Sequence, residues 1–181
     1  MTRVRGRAAA KAGNMFRRIL IAVDEREAAG FAIQTAGLLA DEPGVRVAFV
    51  HVIEACEPVV GELGMTVAEF RTGVRADALR LLKERALQMP GSARPEFIVR
   101  EGDPATEILG AASDYEADLL VIGSAPHGRL AELFMVGTAE KIIRHASCPV
   151  MVVRQPPTDA AAQSAHADLA RPDTTAGTPI A

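Results

Sequence analysis

The chain of 181 residues has no tryptophan, one tyrosine, six phenylalanines and two cysteines. An aromatic share of 4% leaves no row of stacking side chains for single-stranded nucleic acid, and a net charge of −3 supplies no basic stripe for a phosphate backbone. Cys56 and Cys148 are too few for a disulfide framework, and neither belongs to a Cys-x-x-Cys pair or a Cys/His cluster of the kind a metal needs. Both read as free thiols. No apolar run approaches the ~20 residues of a membrane helix. The basic start "MTRVRGRAAAKAGN" lacks the hydrophobic segment of a signal peptide. These absences lead to the expectation of a cytoplasmic protein with no membrane, metal or nucleic-acid partner.

What is present suits one globular domain: 49% hydrophobic and 24% charged residues, enough to bury a full core. The two ends differ from the middle. Residues 1–14 carry Arg3, Arg5, Arg7 and Lys11 with no acid before Asp24, and read as a disordered basic leader. Met15, directly before "FRRILIAVD", is a second candidate start of translation, and residues 1–14 would then lie outside the native product. Residues 155–181, rich in Ala, Pro and Thr, read as a disordered tail. The folded domain is expected over 15–154.

Within it, apolar runs alternate with helical periodicity, the pattern of βαβ units around a mainly parallel sheet. "RILIAVD" is a near-continuous apolar run ending in Asp24, as expected of a strand covered on both faces. Ala32, Ala36 and Leu39 recur at helical steps, then "VRVAFVHV" makes a second strand. Val67, Phe70, Val74 and Leu81 line one face of a long helix, and "RPEFIVREG" gives a third strand. In "EGDPATEIL", Asp103 can cap a helix whose first position suits Pro104, with Ile108, Ala112 and Tyr115 on one face. "ADLLVIG" is a fourth strand, "AEKIIRHA" a helix with Ile142, Ile143 and Ala146 inward, and "CPVMVV" a short fifth strand. Five strands and four helices result. Ligands of such sheets sit beyond the carboxyl ends of the strands, where strand order reverses, which gathers Asp24, the end of the second strand and the loop after Gly123.

Several catalytic classes lack their residues. "VDEREAAG" has no Gly-x-Gly-x-x-Gly for a dinucleotide. A phosphoacceptor domain needs an acid pair beside Asp24 and a lysine after the last strand, where Arg154 stands. Ser124 has no Gly-x-Ser-x-Gly elbow. His51 in a strand, His145 on the last helix and His166 in the tail read as structural or surface residues. The loop from Glu54 to Met65 carries no functional signal.

From about Arg17 to Val153 the chain resembles the universal stress protein family. "RRILIAVD" is similar to the family's first strand with its terminal acid, "VAFVHV" to the second strand, "REGDPATEIL" to the Gly-x-Pro start of a helix, "ADLLVIGS" to the fourth strand, and "AEKIIRHASCPVMVV" to the closing helix and strand. The resemblance implies an α/β fold with a five-stranded parallel sheet and helices on both faces, of the adenine nucleotide alpha hydrolase-like, Rossmann-like kind. It also implies a homodimer through the last strand and a role in surviving stress or growth arrest, with a regulatory protein partner still to be identified. The short apolar "PVMVV" fits the dimer, since an open edge of that kind needs cover. Some members bind ATP, with magnesium; others lack the site and act through protein contacts. No general catalytic reaction is implied, and weak ATP hydrolysis only where ATP is bound.

By the same resemblance Asp24 matches the acid that approaches the adenosine, Val47 a backbone contact for the adenine, and Ile122 and Gly123 backbone contacts near ribose and phosphate. The ATP-binding branch carries Gly-x2-Gly-x9-Gly-Ser/Thr, whereas this chain has Gly123-x4-Gly128-x8-Gly137-Thr138. Aligned without a gap, Pro126 and Val136 replace the second and third glycines. A shift of about one residue instead keeps Gly137 and Thr138 as the closing pair. Pro126 donates no N–H, and Val136 sets a β-branched side chain where a phosphate should meet backbone. Against that, Gly137 and Thr138 precede a helix whose free N–H groups can hold an anion, and His127 or Arg129 can add charge. Two readings stay open: a nucleotide-responsive dimeric regulator, and a nucleotide-independent dimeric interaction module with Thr138 as a plain helix cap.

Overall fold

Strands built from Ile, Leu and Val hide both faces by lying inside a parallel sheet with helices above and below. The computed structural model, which describes residues 15–54, 66–124 and 136–156, has this arrangement. Its elements in chain order are β1 (Arg18–Ala22), α1 (Glu27–Leu39), β2 (Arg46–Ile53), α2 (Val67–Ala86), β3 (Glu96–Glu101), α3 (Pro104–Asp114), β4 (Leu119–Ser124), α4 (Val136–His145) and β5 (Val150–Arg154). The strands make one parallel sheet in the order β3-β2-β1-β4-β5. The chain steps outward from β1 to β3, then returns to the other side of β1, so strand order reverses between β1 and β4. The expected leader lies outside the described residues, as do the expected tail beyond residue 156, Cys56, most of the loop from Glu54 to Met65, and Pro126, His127, Gly128 and Arg129; Gln155, expected in the tail, instead donates to the Ser124 carbonyl and to Glu27.

Alternation along the strands divides the core. Ile19, Ile21 and Val121 face α1 and α2, meeting Ile33 and Leu82; Leu20, Val50 and Ile122 face α3 and α4, meeting Ile108 and Ile142. Helix faces follow, with corrections. Ala32 and Ala36 of α1 are buried as expected, joined by Ala28, Ala29 and Ile33. In α2 the fully packed positions are Ala78 and Leu82 rather than Val67, which is exposed, while Phe70, Val74 and Leu81 are half-buried. The stripe runs 70, 74, 78, 82, one residue off the expected end. Of the three residues expected inward on the last helix, Ile142 is buried, Ile143 is 55% exposed and Ala146 half-buried. Adjacent helical residues lie ~100° apart, and with Ala139 packed beside Ile142, Ile143 turns outward.

The expected cap of α3 is present. Asp103 Oδ1 accepts from the Thr106 backbone N–H at 3.0 Å and from its hydroxyl at 2.7 Å, with Pro104 at the first position. At α2, Thr66 and Glu69 close a reciprocal capping box. Hydrogen bonds from Thr106 hold the Asp103 carboxyl below the ordinary aspartate range, with a smaller contribution from Lys141, and bonds from Thr66 lower that of Glu69. Tyr115, buried behind α3 as expected, lies under the guanidinium groups of Arg18 and Arg46, at 5.5 and 5.8 Å from its ring centre.

Gly123 is the tightest point. A Cβ there would stand 2.4 Å from the Ala28 carbonyl oxygen and 2.9 Å from the Ala29 nitrogen, so β4 meets the first turn of α1 backbone to backbone. Gly137, in α4, has nothing among the described residues within 4 Å of an added Cβ.

Two predictions follow from the caps and the glycines. Asp103→Ala lowers the melting temperature by a few degrees at neutral pH and hardly at all in acid. Carboxyls with depressed folded pKa values stabilise above the unfolded value, and that contribution disappears as pH falls through about 4 and below. Thermal melts of both chains across pH check this. Gly123→Ala destabilises by about 1 to 3 kcal/mol because backbone must move. Gly137→Ala stabilises, by up to about 1 kcal/mol, because alanine favours a helix and meets no obstacle. Chemical denaturation of the two variants measures the contrast.

Candidate functional site

The reversal of strand order leaves a cleft where the loops after β1 and β4 diverge. It has a volume of about 330 Å³. Ala22, Val50, Val52 and Ile122 bring apolar strand ends into its lining, and Ile108, Ala139 and Ile142 contribute from α3 and α4. Its polar groups are Asp24, Arg26, His51, Glu54, Asp103 and Thr138.

Each polar group is placed by an identifiable local cause. Val23 extends the ladder beyond β1, its N–H donating to the Val50 carbonyl at 2.8 Å. The chain then leaves the sheet at Asp24. Asp24 Oδ1 accepts the Arg26 backbone N–H at 2.9 Å, and Oδ2 pairs with Arg26 Nε at 2.7 Å. This is a turn closed by a side chain, not a helix cap: the N-cap of α1 is Arg26, which makes no side-chain capping bond. The alternative of Asp24 as a cap for the following helix is therefore corrected. His51 Nδ1 donates to the Val23 carbonyl at 2.9 Å; a carbonyl only accepts, so Nδ1 carries the proton and, in the neutral ring, Nε2 is an acceptor. Asp103 reaches the cleft as the N-cap of α3, and its Oδ2 lies 3.7 Å from Lys141 Nζ.

Of the residues expected at a nucleotide site, Asp24, Ile122, Gly123 and Thr138 line this one cleft. Val47 does not. It pairs with Ile19 near the amino end of β2, buried in the core under α1 and α2. At about 3.3 Å per residue it lies roughly 16 Å along the strand from Val52, which holds the cleft end of β2. The correction follows from the rule that the site lies at carboxyl ends. Gly137 is exposed and outside the lining, one residue before Thr138. Thr138 is the third residue of α4, so it does not cap that helix. Gly128 lies outside the described residues.

Arg26, Glu54 and Asp103 were not anticipated as cleft residues, and His51 and Val52 only as part of the end of the second strand. For Val52 the signal was its place at the end of "VAFVHV"; for Asp103 it was the helix start on the same side of the sheet as Asp24. Nothing in the sequence singled out Arg26 or Glu54. Among the described residues no group of three or more His, Cys, Asp or Glu is placed to hold a metal, and no helix is long and apolar enough to cross a membrane.

Comparison with known proteins agrees with this fold. The model of the universal stress protein family matches residues 15–154. A universal stress protein of Thermus aquaticus is 34% identical over 140 residues, covering 77% of this chain and 100% of the relative. A solved structure from the same family, from Burkholderia pseudomallei, is 26% identical with a TM-score of 0.57, covering 78% of this chain and 98% of that one. Two more distant solved structures share the fold. One is a universal stress protein in complex with cAMP, 14% identical, TM-score 0.53, covering 77% of this chain and 97% of that one. The other is from Archaeoglobus fulgidus in complex with dAMP, 20% identical, TM-score 0.51, covering 77% and 98%. With the family model spanning the whole described sheet and a relative matched along its full length, this chain belongs to the universal stress protein family.

Proposed function

We propose that the chain is a cytoplasmic, homodimeric stress-response regulator that takes an adenine nucleotide in the cleft between β1 and β4. The observation that carries the nucleotide is the cleft itself: about 330 Å³, apolar strand ends on its walls and a carboxylate at Asp24. That volume lies in the range of small-molecule sites and suits a purine nucleoside. A flat base gains from the apolar lining, while the Asp24 carboxylate, an acceptor only, suits ribose hydroxyls. The two fold relatives solved with cAMP and dAMP both hold adenine, which supports the same ligand class here. ATP with magnesium belongs to that class. Its outer phosphates would extend toward Thr138 and the first turn of α4. Nucleotide binding acts on a regulatory protein partner, or on the dimer, to the extent that the two states of the cleft bind it unequally.

The dimer reading rests on the contrast between the sheet's two edges. Along β3, Glu96, Arg100 and Glu101 are charged and pair with Arg46, Asp114 and Arg75. Along β5, Val150, Met151, Val152 and Val153 offer no charge until Arg154, and Val152 is 39% exposed, with exposed Ile143 on the adjoining helix. A second copy covers the apolar edge and leaves the charged one in water.

One observation favours a nucleotide-independent interaction module: Arg26 engages both oxygens of Asp24, and Gly123 is already required by its contact with Ala28. The readings separate by experiment. Native mass spectrometry of the purified protein is expected to show an adenine nucleotide, and Asp24→Ala to weaken binding by roughly 10- to 100-fold, the range for a hydrogen bond to a charged group. A nucleotide-free preparation with no thermal shift on adding ATP and magnesium decides for the module. In light scattering the unmodified chain is expected to be a dimer and Val152→Lys a monomer with an unchanged circular dichroism spectrum.

A further inference from the structure

We infer that Arg26 is a phosphate-binding residue of the cleft, its guanidinium held beside Asp24 to meet the phosphate next to the ribose of a bound nucleotide. The inference rests on the nucleotide reading above and adds to it the residue that selects a nucleotide over a nucleoside.

Among the described residues that line the cleft, Arg26 is the one arginine or lysine. It shares the lining with the carboxylates of Asp24, Glu54 and Asp103, and with His51. Asp103 is itself approached by Lys141. An anion entering this acidic surround needs a positive group held in place, and Arg26 fits that need. A guanidinium has five N–H donors. Its Nε stands 2.7 Å from Asp24 Oδ2 in an ion pair. The four on the η nitrogens have no hydrogen-bond partner among the described residues, and the side chain is 51% exposed. The ion pair therefore holds the guanidinium beside Asp24 and leaves its η nitrogens for a ligand.

The anchor is held from below as well. Arg85 Nη2, on α2, donates to the Glu25 carbonyl at 2.6 Å and to the Arg26 carbonyl at 3.1 Å. The turn is thus fixed at its side chains by Asp24 and at its backbone by Arg85, so little further freedom is lost when an anion binds. Arginine suits phosphate because its planar donors match two oxygens at once. The arrangement also gives Asp24 a second part. Its charge orients the fork, and a bound phosphate would make Arg26 a bridge between two anions rather than a simple ion pair.

Calorimetric titration of the full chain with adenosine and with AMP tests this. The unmodified chain is expected to bind AMP about tenfold or more tightly than adenosine, the value of a charge-assisted hydrogen bond. In Arg26→Gln the ratio of the two affinities falls toward one, whatever happens to adenosine itself. In Arg26→Lys, which keeps the charge and loses the fork, the ratio is intermediate. Raising the ionic strength reduces the ratio in the unmodified chain and does not reduce it in Arg26→Gln, where only repulsion by the neighbouring carboxylates is left to screen. An AMP preference that persists in Arg26→Gln, or adenosine and AMP bound equally by the unmodified chain, overturns the inference and leaves the nucleotide reading standing. Binding of neither overturns both. Should Arg26→Gln fail to fold, the lysine variant and the salt series on the unmodified chain decide alone.

Discussion

The end of β4 touches the first turn of α1 with no side chain between them, at Gly123 and the Ala28 carbonyl. Much of the site depends on that approach. It draws α1 across the junction of β1 and β4, so the turn carrying Asp24 and Arg26 stands beside the end of β4 rather than above β2. The opposite face of the same junction is left to α3 and α4, whose Ile108 and Ile142 close the cleft from the other side. A bulkier residue at 123 would separate α1 from the sheet and widen the one place where strand order reverses. Gly123 can therefore be indispensable to the site without touching a ligand.

Most of the architecture could be read from the chain because its signals are local. A continuous apolar run announces a two-sided strand, and Asp103 followed by Pro104 announces a helix start; both depend on a few neighbouring residues. Less legible features depended on register or on distant partners. Val47 and Val52 are the same residue type in the same strand, and only the direction of the parallel sheet says which borders the cleft. Ile142 and Ile143 are adjacent and chemically alike, and only packing against the sheet decides which is buried. Gly123 was readable as a loop glycine, but its cause is the Ala28 backbone nearly one hundred positions earlier. Arg26 looked like part of a polar run, and its role appears only once Asp24 is seen to hold it.

The sheet places its chemistry asymmetrically. At the amino end of the strands, Asp118 accepts the backbone N–H groups of Arg17 and Arg18 at 2.8 and 2.9 Å, and Arg18 pairs with Glu116. Those charges are used on the protein's own backbone and side chains. At the carboxyl end, among the described residues, Arg26 keeps η donors without a hydrogen-bond partner. Among the described residues, one end of the sheet is thus occupied with holding the fold, and the other carries the cleft.

The grip of Arg85 on the carbonyls of Glu25 and Arg26 also bears on how the protein comes to be folded. Those partners are about sixty positions apart, and Gln155 reaches Glu27 across 128. Contacts of such long sequence separation form late, since a large loop must close before they hold. The β1–α1 turn can coil locally as soon as it is made, but its final position waits for α2 to dock and for β4 and β5 to join the sheet. The cleft is therefore assembled from residues far apart in the chain, from the turn after β1 to α4, and each of those distant contacts contributes to its shape.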